Sequence, residues 1–188
     1  MKITKNFFFY EFGPSGCKKD WAPNNEFQKR LIIDLATNLQ ILRDIAKVPI
    51  NISCGIRTIE DHYRLQGSGY HPSETSDHFF GVAVPIKPTS PKYSKFGGTY
   101  NFSVGAVDCV PVGISVQKFF KISMKSYIDS KTKFGQIIYE KDPIRNVEWV
   151  HLSNFYENYF SYAIVQWLGK HKFMQSIDGG KTYTIASL

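Results

Sequence analysis

At 188 residues, with 43% hydrophobic and 15% aromatic side chains, the chain is the size of one domain and has enough apolar mass to fill a single core. A formal net charge of +7 would draw it toward polyanions such as cell-wall polymers, anionic lipid or nucleic acid, but the basic residues are scattered singly or in pairs such as Lys18-Lys19 and Lys29-Arg30, which favours a general solubility charge. Without a dense basic patch interleaved with aromatics, a nucleic-acid partner is not expected, and no stretch approaches transmembrane length.

Residues 1–23 mix aromatics with Gly13, Pro14, Gly16 and Pro23, an irregular arm whose Phe7, Phe8, Phe9 and Phe12 are expected to dock onto the body. From Asn24 or Asn25 the pattern changes. Phe27, Leu31, Leu35, Leu39, Leu42 and Ala46 recur at helical spacing behind an Asn cap, and Val48-Pro49 ends the run. Ile50 to Ser53 alternates like a short strand, and Thr58-Ile59-Glu60-Asp61 opens a second helix that Gly67 or Gly69 stops. A Gly/Ser/Pro/Thr-rich loop leads to Ser76, and Phe79 to Ile86 reads as a strand. Residues 87–101 form an excursion before strand character resumes over Phe102 to Val112. Val116 to Tyr127 fits a third helix, Gly135 to Glu140 and Val147 to Ser153 two more strands, and Lys172 to Ile185 a terminal hairpin. Helices come first and strands dominate later, so the class is α+β.

Ser76-Asp77-His78 and Glu148-Trp149-Val150-His151 carry the chemistry. A carboxylate three residues before a histidine can serve as general base on a metal-activated water while the histidine holds the metal. Catalytic zinc takes three protein ligands and leaves a position for water, so a third ligand is required. Cys17, Cys54 and Cys109 are odd in number with no C-x-x-C spacing, which points away from both a disulfide framework and a cysteine zinc cage and fits a reducing cytosol. His62, His71 and His171 are expected at the surface or behind the ligands, and Trp149 and Tyr63 in the core or lining a substrate groove.

The chain resembles the zinc D-Ala-D-Ala carboxypeptidases and L-alanyl-D-glutamate peptidases, especially the short forms of bacteriophages. The resemblance spans roughly residues 7–155. It is carried by Phe9-Tyr10-Glu11-Phe12, Asn38 to Asp44, Ile52-Ser53-Cys54-Gly55-Ile56-Arg57-Thr58, Ser76-Asp77-His78-Phe79-Phe80-Gly81-Val82-Ala83, and Gln136 to Glu140 leading to Glu148 through Ser153. It implies a hedgehog/DD-peptidase-like domain over 1–155, with a small antiparallel sheet carrying the metal site and N-terminal helices packed on it. Residues 156–188 are then an extension with a hairpin, not an independent domain.

The same resemblance implies His78 and His151 as zinc ligands, Glu148 as catalytic base, and Arg57 as the group that binds substrate carboxylate or steadies the oxyanion. Arg57 could instead make an ion pair capping the second helix. Ser76 orients the loop or a ligand, or is an ordinary turn hydroxyl. Where the family's third ligand is an aspartate, this chain has Pro85, which offers zinc no donor. Gly105-Ala106-Val107-Asp108 looks like the end of the same motif, so residues 85–107 read as an insertion hairpin that returns Asp108 on an adjacent strand; Asp77 and Glu74 are weaker substitutes. Glu148 and His151, three apart, can share a face only if their strand bulges.

The implied activity is hydrolysis of peptide bonds in peptidoglycan stems or cross-links, by a lysis enzyme released through a holin or by a virion-carried wall hydrolase working beside other virion proteins. No signal-peptide core is present, since the apolar run Phe7 to Tyr10 is too short. The rival expectation is a virion structural or wall-binding protein that keeps the fold without turnover, with Pro85 as the mark of decay.

Overall fold

The computed structural model describes residues 1–159 and 173–186. Three α-helices among them follow their caps. Helix α1, Glu26–Ala46, starts where the Asn25 side chain accepts from the Gln28 amide at 3.0 Å, and it ends in left-handed Lys47 ahead of Pro49. Helix α2, Ile59–Gly67, is capped by Thr58, whose hydroxyl accepts from the Asp61 amide at 3.2 Å. Helix α3, Val116–Ile128, is capped by Ser115.

Eight strands are present among the described residues: β1 Ile50–Cys54, β2 Val84–Pro85, β3 Thr99–Tyr100, β4 Ala106–Pro111, β5 Phe134–Asp142, β6 Val147–Asn154, β7 Phe173–Ser176 and β8 Thr184–Ile185. Six of them form one sheet in the order β1-β4-β6-β5-β7-β8, while β2 and β3 pair separately. The fold is therefore α+β, but the sheet is mixed rather than antiparallel. Strand β7 lies parallel to β5, with Ile137 opposite Phe173 and Glu140 opposite Ser176. The expected terminal hairpin exists as β7 and β8, and it extends the main sheet.

Strand alternation divides this sheet into two faces. Val107 and Cys109 of β4, Ile137 and Tyr139 of β5, and Val150 and Leu152 of β6 turn toward α1 and α3, where Leu31, Leu35, Leu39 and Phe119 meet them in the main core. Each such fully buried aliphatic contributes about 1.5–3 kcal/mol, so this face fixes the register of all three strands. The Asn154 amide at the end of β6 donates to the Leu31 and Val104 carbonyls at 2.8 and 2.7 Å, pinning the sheet to α1.

From the N-terminal arm, Phe7, Phe9 and Phe12 are buried in that core, whereas Phe8 is half-buried and stacks on Tyr10. The expected strand over Phe79 to Ile86 is replaced. A 3-10 turn spans Asp77–Phe79, the backbone turns left-handed at Phe80 and Gly81, and only Val84–Pro85 pairs as strand. Fully buried Phe80 accepts positive φ because the chain must reverse there; pairing of β2 with β3 then closes the excursion, with Pro85 opposite Thr99. Phe79, Val84, Ile86 and Tyr100 give this excursion a small core of its own.

Candidate metal centre and active site

On the face away from the helices, three side chains from distant parts of the chain converge. His78 Nε2 lies 3.2 Å from Asp108 Oδ1 and 3.2 Å from His151 Nδ1, and His151 Nδ1 lies 3.1 Å from Asp108 Oδ1. All three residues are at least nine-tenths buried. Asp108 sits directly across the β4–β6 ladder from His151, so the two project from adjacent strands at one level. Asp108 does not lie across a hairpin from Pro85, which pairs with β3 in the separate sheet. The polypeptide instead brings the acid into the main sheet, beside the histidine of β6.

The 3-10 turn supplies His78. Ser76 caps it, its hydroxyl accepting from the His78 amide at 3.3 Å and from Arg57 Nη1 at 3.2 Å. The Arg57 amide donates to the His78 carbonyl at 2.9 Å, tying the turn to the segment after β1. His78 Nδ1 donates to the Gly55 carbonyl at 2.8 Å. That bond commits Nδ1 as a donor, so Nε2 is the nitrogen turned toward Asp108 and His151.

Cys54 is the fourth polar group at this level. A bulge in β1 between Ile52 and Cys54 sets Cys54 opposite Asp108, where regular pairing would have put Ser53. Its sulfur lies 3.8 Å from His78 Nδ1. Cys54, His78 and Asp108 form a group that could hold a metal ion. The tighter triangle replaces Cys54 with His151. Its 3.1–3.2 Å edges match the ligand separation of about 3.3 Å that a tetrahedral ion imposes with bonds near 2.0–2.1 Å. Cys54 instead faces the nitrogen of His78 already committed to Gly55, so it buttresses the imidazole from behind.

The electrostatics reflect this crowding. Burial opposes charge on His78, but the Asp108 carboxylate overcomes it, with help from Cys54, and pushes the imidazole up to about 10. Burial likewise opposes charge on Asp108, yet His78 and the hydrogen bonds from both histidines hold its carboxyl well below the usual carboxylate range. The His78 imidazolium and the Asp108 carboxylate therefore stabilise one another as a buried ion pair.

Glu148 does not join them. From Glu148 to His151 the β5–β6 pairing is regular, Lys141 opposite Glu148 and Ile138 opposite His151, so the bulge needed to bring both to one face is absent. Glu148 comes off β6 on the helix side, its carboxylate 3.1 Å from Lys141 Nζ and beside the Tyr139 phenol, and only borders the cavity at the strand end. The carboxylate on the site face is Glu140. It lies opposite Trp149, two residues along β5 from Ile138, and receives a 2.7 Å hydrogen bond from the Tyr183 hydroxyl. Burial, and then the negative charge of Asp108, raise its pKa above the ordinary carboxylate value. Period-two alternation along Gln136-Ile137-Ile138-Tyr139-Glu140 is the sequence signal that could have found it, given the register against His151.

The remaining candidates fall on either side. Arg57, Ser76, Trp149 and His71 border a cavity of about 1130 Å³ that also contains the triangle and Glu140. Thr58 caps α2 by itself, so Arg57 has no capping role there. Arg57 Nε and the Trp149 indole N–H are buried without a hydrogen-bond partner. Asp77 is not a ligand: its carboxylate accepts from the Tyr156 hydroxyl and from the Val104 amide. Glu74 lines a separate small cavity with His62, which is packed against Phe79 rather than exposed. His171 lies outside the described residues.

Comparison with protein-family models, with curated proteins and with solved structures finds no match. No described helix is long and apolar enough to cross a membrane.

Proposed function

We propose that this cavity is the active site of a zinc peptidase that cleaves peptide bonds in the stems or cross-links of bacterial peptidoglycan, as the resemblance to the D-Ala-D-Ala carboxypeptidases and L-alanyl-D-glutamate peptidases implies. The observation that carries it is the triangle of His78 Nε2, Asp108 Oδ1 and His151 Nδ1, each edge 3.1–3.2 Å, on the wall of an open cavity. Two imidazoles and one carboxylate are a catalytic rather than a structural zinc set, because three ligands leave a position for water. The same donors and spacing support a hedgehog/DD-peptidase-like arrangement.

Zinc in this triangle would supply Lewis acidity that makes a water nucleophilic near neutral pH. Every other part is done by the chain. The Gly55 carbonyl orients the His78 imidazole through Nδ1, the nitrogen turned away from the triangle. Glu140, not Glu148, takes the proton from the attacking water and delivers it to the leaving amine, because it is the carboxylate on the strand face that carries Asp108 and His151. Arg57 lines the cavity wall, where Ser76 holds its guanidinium, and is the cation there for an acceptor group of a peptide. The case for a decayed, wall-binding protein draws on Pro85; Asp108 beside both imidazoles supports the enzyme instead. The likeness to short phage forms makes a lysis or virion-carried role the expected setting, with peptidoglycan as partner.

Metal analysis and amine release from purified peptidoglycan test the reading together. One zinc per chain and released amines in the wild type, with both lost in Asp108→Ala, are expected. A metal-free, inert wild-type chain would refute it.

A further inference from the structure

The C-terminal hairpin has no part in the reaction as described above, although it forms one wall of the cavity. Strand β7 places the hairpin against β5, and the turn that follows is tightly held. The Asp178 carboxylate accepts from the Lys181 and Thr182 amides at 3.1 and 3.0 Å and from the Thr182 and Ser176 hydroxyls at 2.5 and 2.8 Å. This fixed turn folds Tyr183 back so that its hydroxyl donates to Glu140 Oε1 at 2.7 Å, across 43 residues of sequence. Gly180 makes room for it: a Cβ there would stand 3.1 Å from the Tyr183 hydroxyl, on a backbone already at φ +82°. Such a contact is not a by-product of core packing, since Tyr183 is 45% exposed and belongs to none of the buried clusters.

We propose that Tyr183 is a positioning residue for Glu140, holding one carboxylate oxygen with its phenolic O–H so that the other faces the substrate. The inference rests on Glu140 being the base and names the element that orients it. A lone carboxylate rotates broadly about its last torsion, whereas a charge-assisted hydrogen bond restricts it to one orientation. Burial, and then Glu140 itself, push the phenol well above its ordinary range, so the hydroxyl stays a donor throughout the working pH range. Around Glu140 the charged neighbours are Asp108 from β4, His151 from β6, His78 from the 3-10 turn and Tyr183 from the hairpin. Asp108 raises its pKa; the two histidines and the phenol lower it. Removing the hydroxyl therefore moves Glu140 upward, to where more of it is protonated and inactive as a base.

The full chain with Tyr183→Phe tests this, because the change removes one oxygen and leaves the ring. With peptidoglycan as substrate, kcat is expected to fall about tenfold at unchanged KM, and the acid limb of kcat/KM to move up by about one pH unit, with the thermal midpoint unaltered. A pH profile superimposable on wild type overturns the proposal. Carboxyl carbon NMR of the metal-free protein, with Glu140 assigned from Glu140→Gln, reads the same contact without turnover. An upward shift of the Glu140 titration in Tyr183→Phe supports the inference, and equal titrations sink it. If the wild type proves inert on peptidoglycan, the peptidase reading falls and the catalytic sense of the contact with it, while the NMR comparison still decides whether the phenol holds the carboxylate.

Discussion

Strands β4, β5 and β6 present two faces that differ by a single residue of register, and the contrast between them explains where the chemistry can sit. Toward α1 and α3 point Val107, Cys109, Tyr139, Val150 and Leu152, all buried among aliphatic and aromatic neighbours. Toward the cavity point Asp108, Glu140, Trp149 and His151, polar or amphipathic and gathered around the triangle. The apolar face sets the register, and the polar face inherits it. A triangle with 3.1–3.2 Å edges tolerates no slip of one residue, because such a slip in β4 or β6 would turn Asp108 or His151 to the helix side, away from His78. Glu148 illustrates the rule from the other side: close to His151 in sequence, it belongs to the helix-facing set.

The largest effect expected from breaking this contrast is in catalysis. Glu140→Gln should lower turnover of peptidoglycan by roughly 10²–10⁴-fold, while Glu148→Gln leaves it essentially unchanged, measured as amine release by the two purified variants. The reverse order would restore Glu148 as base and require a bulge in β6 that is not there. Next comes the supporting face. Leu152→Ala, one residue from His151 and fully buried, should cost about 2–5 kcal/mol in urea unfolding yet leave metal stoichiometry intact under native conditions.

A smaller effect concerns protons in the metal-free state. His78, raised to about 10 from an ordinary value of 6.5, stabilises the fold in full below about pH 6.5, and that contribution is lost as pH climbs toward 10. Asp108, held below its ordinary 3.8, contributes in full above that value and loses its contribution as pH falls below it. Chelated protein is therefore expected to be most stable between about pH 4 and 6.5 in urea melts. Metal should bind with release of a proton at neutral pH, detectable in a weakly buffered titration. A stability profile flat from pH 6 to 10 would contradict the His78–Asp108 pair. Smallest of all is Lys141→Ala. Its partner Glu148 is partly exposed, so the variant should lose no more than about 1 kcal/mol and keep both metal and activity.

Much of the scaffold was legible because it is written in local periodicity. The helical spacing from Phe27 to Ala46, with Asn25 before and Pro49 after, needs only the 3.6-residue repeat and cap chemistry, and α1 has those bounds within a residue or two. Thr58 and Ser115 announce α2 and α3 in the same way. The stretch Phe79 to Ile86 looks like a strand because apolar residues at Phe79, Phe80, Val82 and Val84 mimic one, whereas two of them are buried in a turn that reverses the chain. The parallel pairing of β7 on β5 left no local trace, since parallel partners are chosen by topology.

By itself the sequence determined the class, the helices, and the identity of His78, Asp108 and His151 as residues whose chemistry suits a divalent metal. Only the tertiary structure decided that their donor atoms meet within 3.2 Å, that a bulge in β1 brings Cys54 opposite Asp108, and that the carboxylate on the same sheet face is Glu140, bonded to Tyr183. The reason is physical. Which residues alternate is set by the backbone of one strand, but which face is the site depends on register between strands, and register is chosen by the core that forms on the opposite side.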